Sequence, residues 1–165
     1  MERRLLLSAL AAAALTAGCA TSTQAPPVQQ APGTAPSAPP VTVLSLPDEQ
    51  RRLAELFRGT PVVFEMTSEG SMRVEVPLKF SFDKGRAVVK PPLAKVLDYL
   101  APSARAPGMR ARVAAPGDGR NAGQLARERA ASARDYLVGK GVPAAHFAAV
   151  NGAPAEAIEI LIGKL

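Results

Sequence analysis

The segment LARERAASARDYLVGKGVP, residues 125–143, is the most regularly patterned part of this 165-residue chain. At 100° per residue its apolar side chains gather on one side of a helix, and glycines end the pattern. We therefore predict a helix over residues 120–140. Arg129 lies about 40° from Leu125 on this helix, inside the apolar stripe. A charged side chain in that position requires a carboxylate or other hydrogen-bond acceptors.

The segments on either side of this helix alternate between helix and strand patterns. The clearest strand pattern precedes it, where Met72, Val74 and Val76 alternate with polar residues. In chain order the other predicted elements are a helix at 47–57, a β-hairpin with strands at 62–67 and 72–82, a helix from residue 91, a strand at 109–115, a loop at 142–147 and a strand at 157–162. This order predicts an α/β protein, specifically a two-layer α/β sandwich with a mixed sheet.

The first 46 residues differ in composition from the rest of the chain. Residues 1–18 combine two early arginines with an apolar run too short to span a bilayer comfortably, which is typical of a secretory signal peptide. Residues 20–40 are rich in Pro and Ala and contain no charged residue, so they cannot bury enough apolar surface to offset the entropy of ordering. We predict a disordered tether over residues 19–46 and a folded domain at 47–165.

Reactive side chains are scarce, and this excludes several classes of function. One Cys and one His cannot build a Cys/His zinc site or an internal disulfide. A Ser-His-Asp enzyme would have to use His146, which we expect to be an exposed or half-buried loop residue. We therefore predict a protein that is not an enzyme, with no metal and no cofactor. The net charge of +6 comes from dispersed basic residues, and export argues against a nucleic-acid partner.

Three motifs of the C-terminal half resemble those of the OmpA-like periplasmic domain, which is shared by peptidoglycan-associated lipoproteins and flagellar motor stator proteins. They are FSFDKG at 80–85, the helix at 125–137 with its exit at 138–143, and IEI at 158–160. The resemblance covers residues 74–162. It implies a βαβαβ core over that range, preceded by the N-terminal helix and the β-hairpin. It also implies that the domain binds the peptide stem of peptidoglycan.

In the OmpA-like family an Asp and an Arg hold the zwitterionic end of diaminopimelate. The matching positions here are Asp118, in the turn APGD at 115–118, and Arg129. The resemblance implies that Asp118 meets the ligand ammonium and Arg129 its carboxylate. The residues alone leave other roles open: an ion pair between these two side chains, an Arg129 that reaches solvent, or an Asp118 that is a helix cap or a turn residue.

The turn before this helix departs from the family pattern. Pro116 and Gly117 stand where the family has His and Thr, and six residues separate Asp118 from Leu125 where the family usually has about ten. Before the last strand, Glu156 replaces an Arg that lines the family's pocket.

The end of the apolar run, LTAGC at residues 15–19, resembles a bacterial lipobox. This implies that Cys19 is diacylated and anchors the protein in a membrane, and Ala20, rather than Asp, implies the outer membrane. The resemblances together imply a Gram-negative outer-membrane lipoprotein whose periplasmic domain binds peptidoglycan non-covalently and tethers the envelope layers. The alternatives are a cleaved signal with an incidental Cys, and a degenerate OmpA-like scaffold or accessory lipoprotein that binds a protein partner in a secretion or motility assembly.

Overall fold

The structure is a computed structural model that describes residues 44–148 and 156–164. The signal peptide at 1–18, the lipidation site at Cys19 and nearly all of the tether at 19–46 lie outside the described residues. Within those residues no helix combines the length and the apolar character needed to cross a membrane. Ser45, near the start of the first described range, caps the first helix.

The described residues form eight named elements, close to the predicted order. They are α1 (Leu46–Leu56), β1 (Val63–Met66), β2 (Met72–Pro77), α2 (Leu78–Ser81), α3 (Pro91–Arg105), β3 (Arg110–Ala114), α4 (Ala122–Gly139) and β4 (Ala157–Gly163). A short 3-10 turn at Ala144–His146 lies in the predicted loop. The hairpin, the helix that begins at the Pro91–Pro92 pair, the long helix and the closing strand are confirmed.

The four strands form one sheet in the order β1-β2-β4-β3, and all three strand pairs are antiparallel. The prediction of a mixed sheet is therefore wrong for these strand pairs. The reason is the position of β4. Strands β2 and β3 run in the same direction, as expected for strands joined by the helix α3, but β4 lies between them and is antiparallel to both.

The predicted second strand, residues 72–82, is also too long. Strand β2 ends at Pro77, which has no N–H to donate to the sheet, and the chain turns into the one-turn helix α2. The hydroxyl oxygen of Ser81 lies 3.2 Å from the carbonyl oxygen of Val76 and 3.1 Å from that of Pro77, so it holds the turn.

The core lies between one face of the sheet and the helices, which gives the two layers of an α/β sandwich. Alternate residues of the central strands are buried, as the period of two predicts. They pack against the apolar stripes of α3 and α4 in one hydrophobic cluster, whose members include Val74, Val76, Ile158, Ile160, Leu97, Leu100, Ala130 and Leu137.

A polar contact at one end of α4 joins it to α3. Asp98 accepts a hydrogen bond from the hydroxyl of Tyr136 at 3.0 Å. It also forms an ion pair with the ammonium of Lys140 at 2.7 Å. The Lys140 ammonium, helped by Tyr136, holds the pKa of Asp98 below its usual value. Helix α4 is therefore held at this end, and Gln124, Glu128 and Arg129 from its first half belong to the site described next.

Candidate functional site

The two residues predicted to form a site lie against each other. Nη2 of Arg129 donates to Oδ2 of Asp118 at 2.5 Å. Arg129 has no solvent-exposed surface and is the largest of the fully buried side chains among the described residues. The inward position that the helix pattern predicts for Arg129 is confirmed, and the alternative in which it reaches solvent is wrong.

The Arg129 guanidinium also donates hydrogen bonds to three main-chain carbonyl groups. Nε donates to the carbonyl oxygen of Arg86 at 2.9 Å, and Nη1 to that of Pro116 at 2.8 Å. Nη2 also donates to the carbonyl oxygen of Asp83 at 3.1 Å, and the ring of Phe82 lies beneath the guanidinium, 5.4 Å from Cζ. A buried guanidinium needs such acceptors, because an unpaired N–H in the interior costs free energy. Arg129 thus connects α4 to two loops.

The two loops also contact each other through Asp118. The main-chain N–H of Gly85 donates to both carboxylate oxygens of Asp118, at 3.1 and 3.3 Å. Gly85 has φ +67°, a left-handed conformation that glycine adopts without steric cost. The Asp118 carboxylate therefore receives hydrogen bonds from Arg129 on α4 and from Gly85 in the loop after α2.

Close packing defines the turn that carries Asp118. A Cβ on Gly117 would lie 1.7 Å from the carbonyl oxygen of Ala122, so only glycine fits there. Gly119 follows with φ +68°. Helix α4 begins at Ala122 with Asn121 as its N-cap residue, so Asp118 is not the helix cap but lies in the turn before the helix. The shortened turn is closed tightly onto the start of α4.

The environment of Asp118 favours its charged form. The hydrogen bond from Arg129 is the main cause that holds its pKa below the usual value, and the N–H of Gly85 and the nearby Lys84 ammonium act in the same direction. The side chain of Asp118 is 25% exposed, in contrast to its buried partner. Asp118 is therefore an ionised, oriented carboxylate that a ligand can reach.

A cavity of about 350 Å³ lies on the exposed side of Asp118. Its lining is mainly polar and includes Gly85, Asp118, Arg120, Asn121, Gln124 and Glu128. Sequence reasoning missed Arg120, Gln124 and Glu128. A signal for two of them was present, because Gln124 and Glu128 are four residues apart on one helix face, and Nε2 of Gln124 donates to Oε1 of Glu128 at 2.8 Å.

The remaining singled-out residues lie elsewhere. His146 is half-buried, with Nδ1 3.0 Å from the carbonyl oxygen of Ala104, which agrees with the predicted loop residue. Glu156 is exposed and does not line the Asp118 cavity; its carbonyl oxygen accepts from the N–H of Leu78. Among the side chains that the structure describes, no three His, Cys, Asp or Glu residues come together as they would around a metal ion.

A larger and more apolar cavity of about 830 Å³ lies between the start of α1 and the end of α3. Its charged lining includes Glu49 and Arg52, which pair with each other through two hydrogen bonds of 2.7 and 2.6 Å. Glu49 and Arg52 satisfy each other, and the third charged lining residue is Arg105. Because none of the predicted site residues lines this cavity, we assign the candidate site to Asp118.

Comparison with known proteins identifies the fold. No family model matches the sequence, and no curated protein sequence matches it significantly. Solved structures do match. A putative MotB-like protein from Desulfovibrio vulgaris has a TM-score of 0.56 at 16% identity, over 71% of this chain and 90% of that one.

Two further structures agree. The cell wall anchor of the type VI secretion system from Pseudomonas aeruginosa has a TM-score of 0.56 at 18% identity, over 68% of this chain and 94% of that one. The periplasmic domain of Helicobacter pylori MotB has a TM-score of 0.52 at 15% identity, over 64% and 80% of the two chains. At these identities the likeness establishes the fold alone. The chain therefore has the OmpA-like two-layer α/β fold that these domains share, as the motifs between residues 80 and 160 predict.

Proposed function

We propose that this protein is a non-catalytic cell-wall-binding lipoprotein whose OmpA-like domain binds the stem peptide of peptidoglycan in the periplasm of a Gram-negative bacterium. The observation that carries the proposal is the state of Asp118: its charged form is favoured, hydrogen bonds from Arg129 and Gly85 orient it, and it lines a polar cavity. The shared fold with a protein named as a cell wall anchor supports it.

The chemistry of the ligand fits this carboxylate. Diaminopimelate ends in an ammonium and a carboxylate on one carbon, and an ammonium pairs well with a fixed, ionised carboxylate. Because Arg129 and Gly85 already hold Asp118, little conformational freedom is lost when the ligand binds.

For Arg129 we propose a different role from the one that the family resemblance implies. Its guanidinium has no exposed surface and is surrounded by Asp118 and three carbonyl groups, so it offers no face to a ligand carboxylate in this structure. We assign Arg129 as a positioning residue that orients Asp118 and keeps it charged.

The anchor completes the proposal and rests on the sequence. Cys19 would carry the lipid in the outer membrane, and the tether after it would bridge the distance to the cell wall. In an extended polyproline conformation, at about 3.1 Å per residue, some 20 to 27 residues would span roughly 60–80 Å.

Co-sedimentation with purified sacculi tests the proposal. The detergent-solubilised full chain should pellet with diaminopimelate-type sacculi, and soluble meso-diaminopimelate should release it. Asp118→Asn should lose this binding, because it keeps the shape of the side chain but removes its charge. Asp135→Asn is the matched control, since Asp135 is exposed on α4 and pairs with its neighbour Arg134. Equal pelleting of wild type and Asp118→Asn would contradict the proposal.

The second candidate is a scaffold that binds a protein partner in an envelope assembly. The complete enclosure of Arg129 favours it, because a purely structural ion pair would have the same contacts. A wild-type chain that does not pellet with sacculi, although it is folded, would favour this candidate.

A further inference from the structure

The cavity beside Asp118 is lined by a cationic residue, which is not the buried Arg129. Arg120 lines it, on the turn between Asp118 and the start of α4. Arg120 is exposed and forms no ion pair with any residue in the described ranges. Its guanidinium therefore has donors available for a ligand, which the buried Arg129 lacks.

The same cavity contains a second carboxylate. Glu128 lines it from the second turn of α4, and the side-chain amide of Gln124 donates to it at 2.8 Å. The described lining thus has two carboxylates, Asp118 and Glu128, and one guanidinium, Arg120. This set complements a group that has both an ammonium and a carboxylate, whereas a simple amine would leave the guanidinium without a partner.

The backbone explains why charges of opposite sign share this small space. Gly119, with φ +68°, separates Asp118 from Arg120 and lets the chain reverse within the short turn. The cavity volume of about 350 Å³ is at the lower end of the range for ligand pockets, roughly 300–1,000 Å³, and suits the end of one amino acid rather than a whole peptide.

We propose that Arg120 is the residue that binds the ligand carboxylate, while Asp118 and Glu128 bind its ammonium, so that Arg120 makes the site prefer diaminopimelate-type over lysine-type stems. This inference rests on the proposed function and adds to it. A lysine side chain ends in an ammonium alone and would use only the two carboxylates. A planar guanidinium matches a carboxylate with two parallel hydrogen bonds, which gives it selectivity as well as affinity.

Competition between two soluble ligands tests this inference. The full chain in detergent is bound to diaminopimelate-type sacculi. Two soluble stem peptides, one with meso-diaminopimelate and one with lysine at the same position, both amide-linked through the α-carbon, are compared as competitors. Wild type should be released by the diaminopimelate peptide at a concentration about tenfold lower than by the lysine peptide, since a charge-assisted pair of hydrogen bonds contributes on this scale. Arg120→Gln should bring the two concentrations together, and Arg120→Lys should restore part of the difference.

Arg127→Gln is the control, because Arg127 is exposed on α4 outside the cavity and the change in net charge is the same. Loss of the preference in Arg120→Gln but not in Arg127→Gln supports the role of Arg120. An unchanged preference in Arg120→Gln, together with lost binding in Asp118→Asn, would overturn this inference and leave the proposed function intact. Equal effects of the two Arg substitutions would also overturn it, and a wild type that does not bind sacculi would overturn both proposals.

Discussion

Arg129 and Asp118 form an ion pair in which one partner is fully buried and the other is partly exposed. Nη2 of Arg129 and Oδ2 of Asp118 are 2.5 Å apart, yet Arg129 has no exposed surface whereas a quarter of the Asp118 side chain is accessible. The pair therefore has an inner, supporting member and an outer member that a ligand can contact. Because of this asymmetry, we expect substitution of Arg129 to act mainly on stability and substitution of Asp118 to act on ligand binding as well.

Replacement of Arg129 should destabilise the fold. Arg129→Met fills similar space but leaves the carbonyl groups of Asp83, Arg86 and Pro116 and the Asp118 carboxylate without their donor. We expect the free energy of unfolding to fall by about 3 kcal/mol or more, from urea denaturation. Arg127→Met on the exposed side of α4 should change it by less than about 0.5 kcal/mol. A loss at Arg129 no larger than at Arg127 would show that the buried contacts contribute little.

The stabilisation by the Arg129–Asp118 pair should depend on pH in acid. The folded-state pKa of Asp118 is lower than in the unfolded chain, because Arg129 favours the carboxylate. The stabilisation is therefore complete above the ordinary Asp pKa, about 3.9, and is lost as pH falls through the lowered folded value.

The comparison of wild type with Asp118→Asn isolates this effect, because Asp48 and Asp98, whose pKa values are also lowered, are present in both proteins. The difference in unfolding free energy should be constant from pH 7 to about pH 5 and should shrink below about pH 4. A difference that does not change down to pH 2 would contradict the assignment.

Two glycines in the Asp118 turn should respond differently to alanine. Gly117→Ala places a methyl group against the backbone of Ala122. Backbone atoms can relieve this clash only if the turn itself moves. Gly119→Ala meets no atom within 4 Å, and its cost is the left-handed φ alone, about 1 kcal/mol. Thermal unfolding should therefore show a clearly larger loss for Gly117→Ala. Equal losses would indicate that the close approach to Ala122 does not restrict this turn.

Lipidation should depend on the single cysteine. Cys19→Ala removes the thiol that the lipobox resemblance assigns as the attachment point. In cells that express the full chain, the variant should incorporate no radiolabelled palmitate and should leave the outer-membrane fraction. Palmitate incorporation that persists in Cys19→Ala would rule out this anchor.

The parts of the fold that the sequence predicts well are those with a local signal. The period of α4 predicts both its length and the inward position of Arg129, and the alternation in β2 predicts its buried face. The position of β4 between β2 and β3 has no local signal in the sequence. It depends on which strand edges are free to pair when the rest of the domain is folded, and this is a property of the whole fold. Pro77 does carry a signal for the end of β2, and the apolar alternation beyond it concealed that signal.

In the candidate site, too, some features have a signal in the sequence and others do not. The resemblance implies that Asp118 and Arg129 act at one site, and the ion pair between them is the alternative that the residues alone leave open; the structure places the two side chains in contact. The enclosure of Arg129 could not be predicted, because three of its four acceptors are main-chain carbonyl groups, which any residue supplies. The presence of Arg120 in the cavity depends on the geometry of a turn that is shorter than in the family.

Nuclear magnetic resonance titration with a soluble, diaminopimelate-containing stem peptide tests the central claim most directly, namely that the ligand binds at Asp118. The Gly85 amide is a local reporter, because its N–H donates to the Asp118 carboxylate at 3.1 Å. The Gln124 side-chain amide, which donates to Glu128, reports on the part of the cavity lining that α4 supplies. In the ¹⁵N-labelled full chain, both signals should shift and saturate as peptide is added, and neither should respond in Asp118→Asn. Signals that shift elsewhere while Gly85 and Gln124 stay constant would contradict the claim.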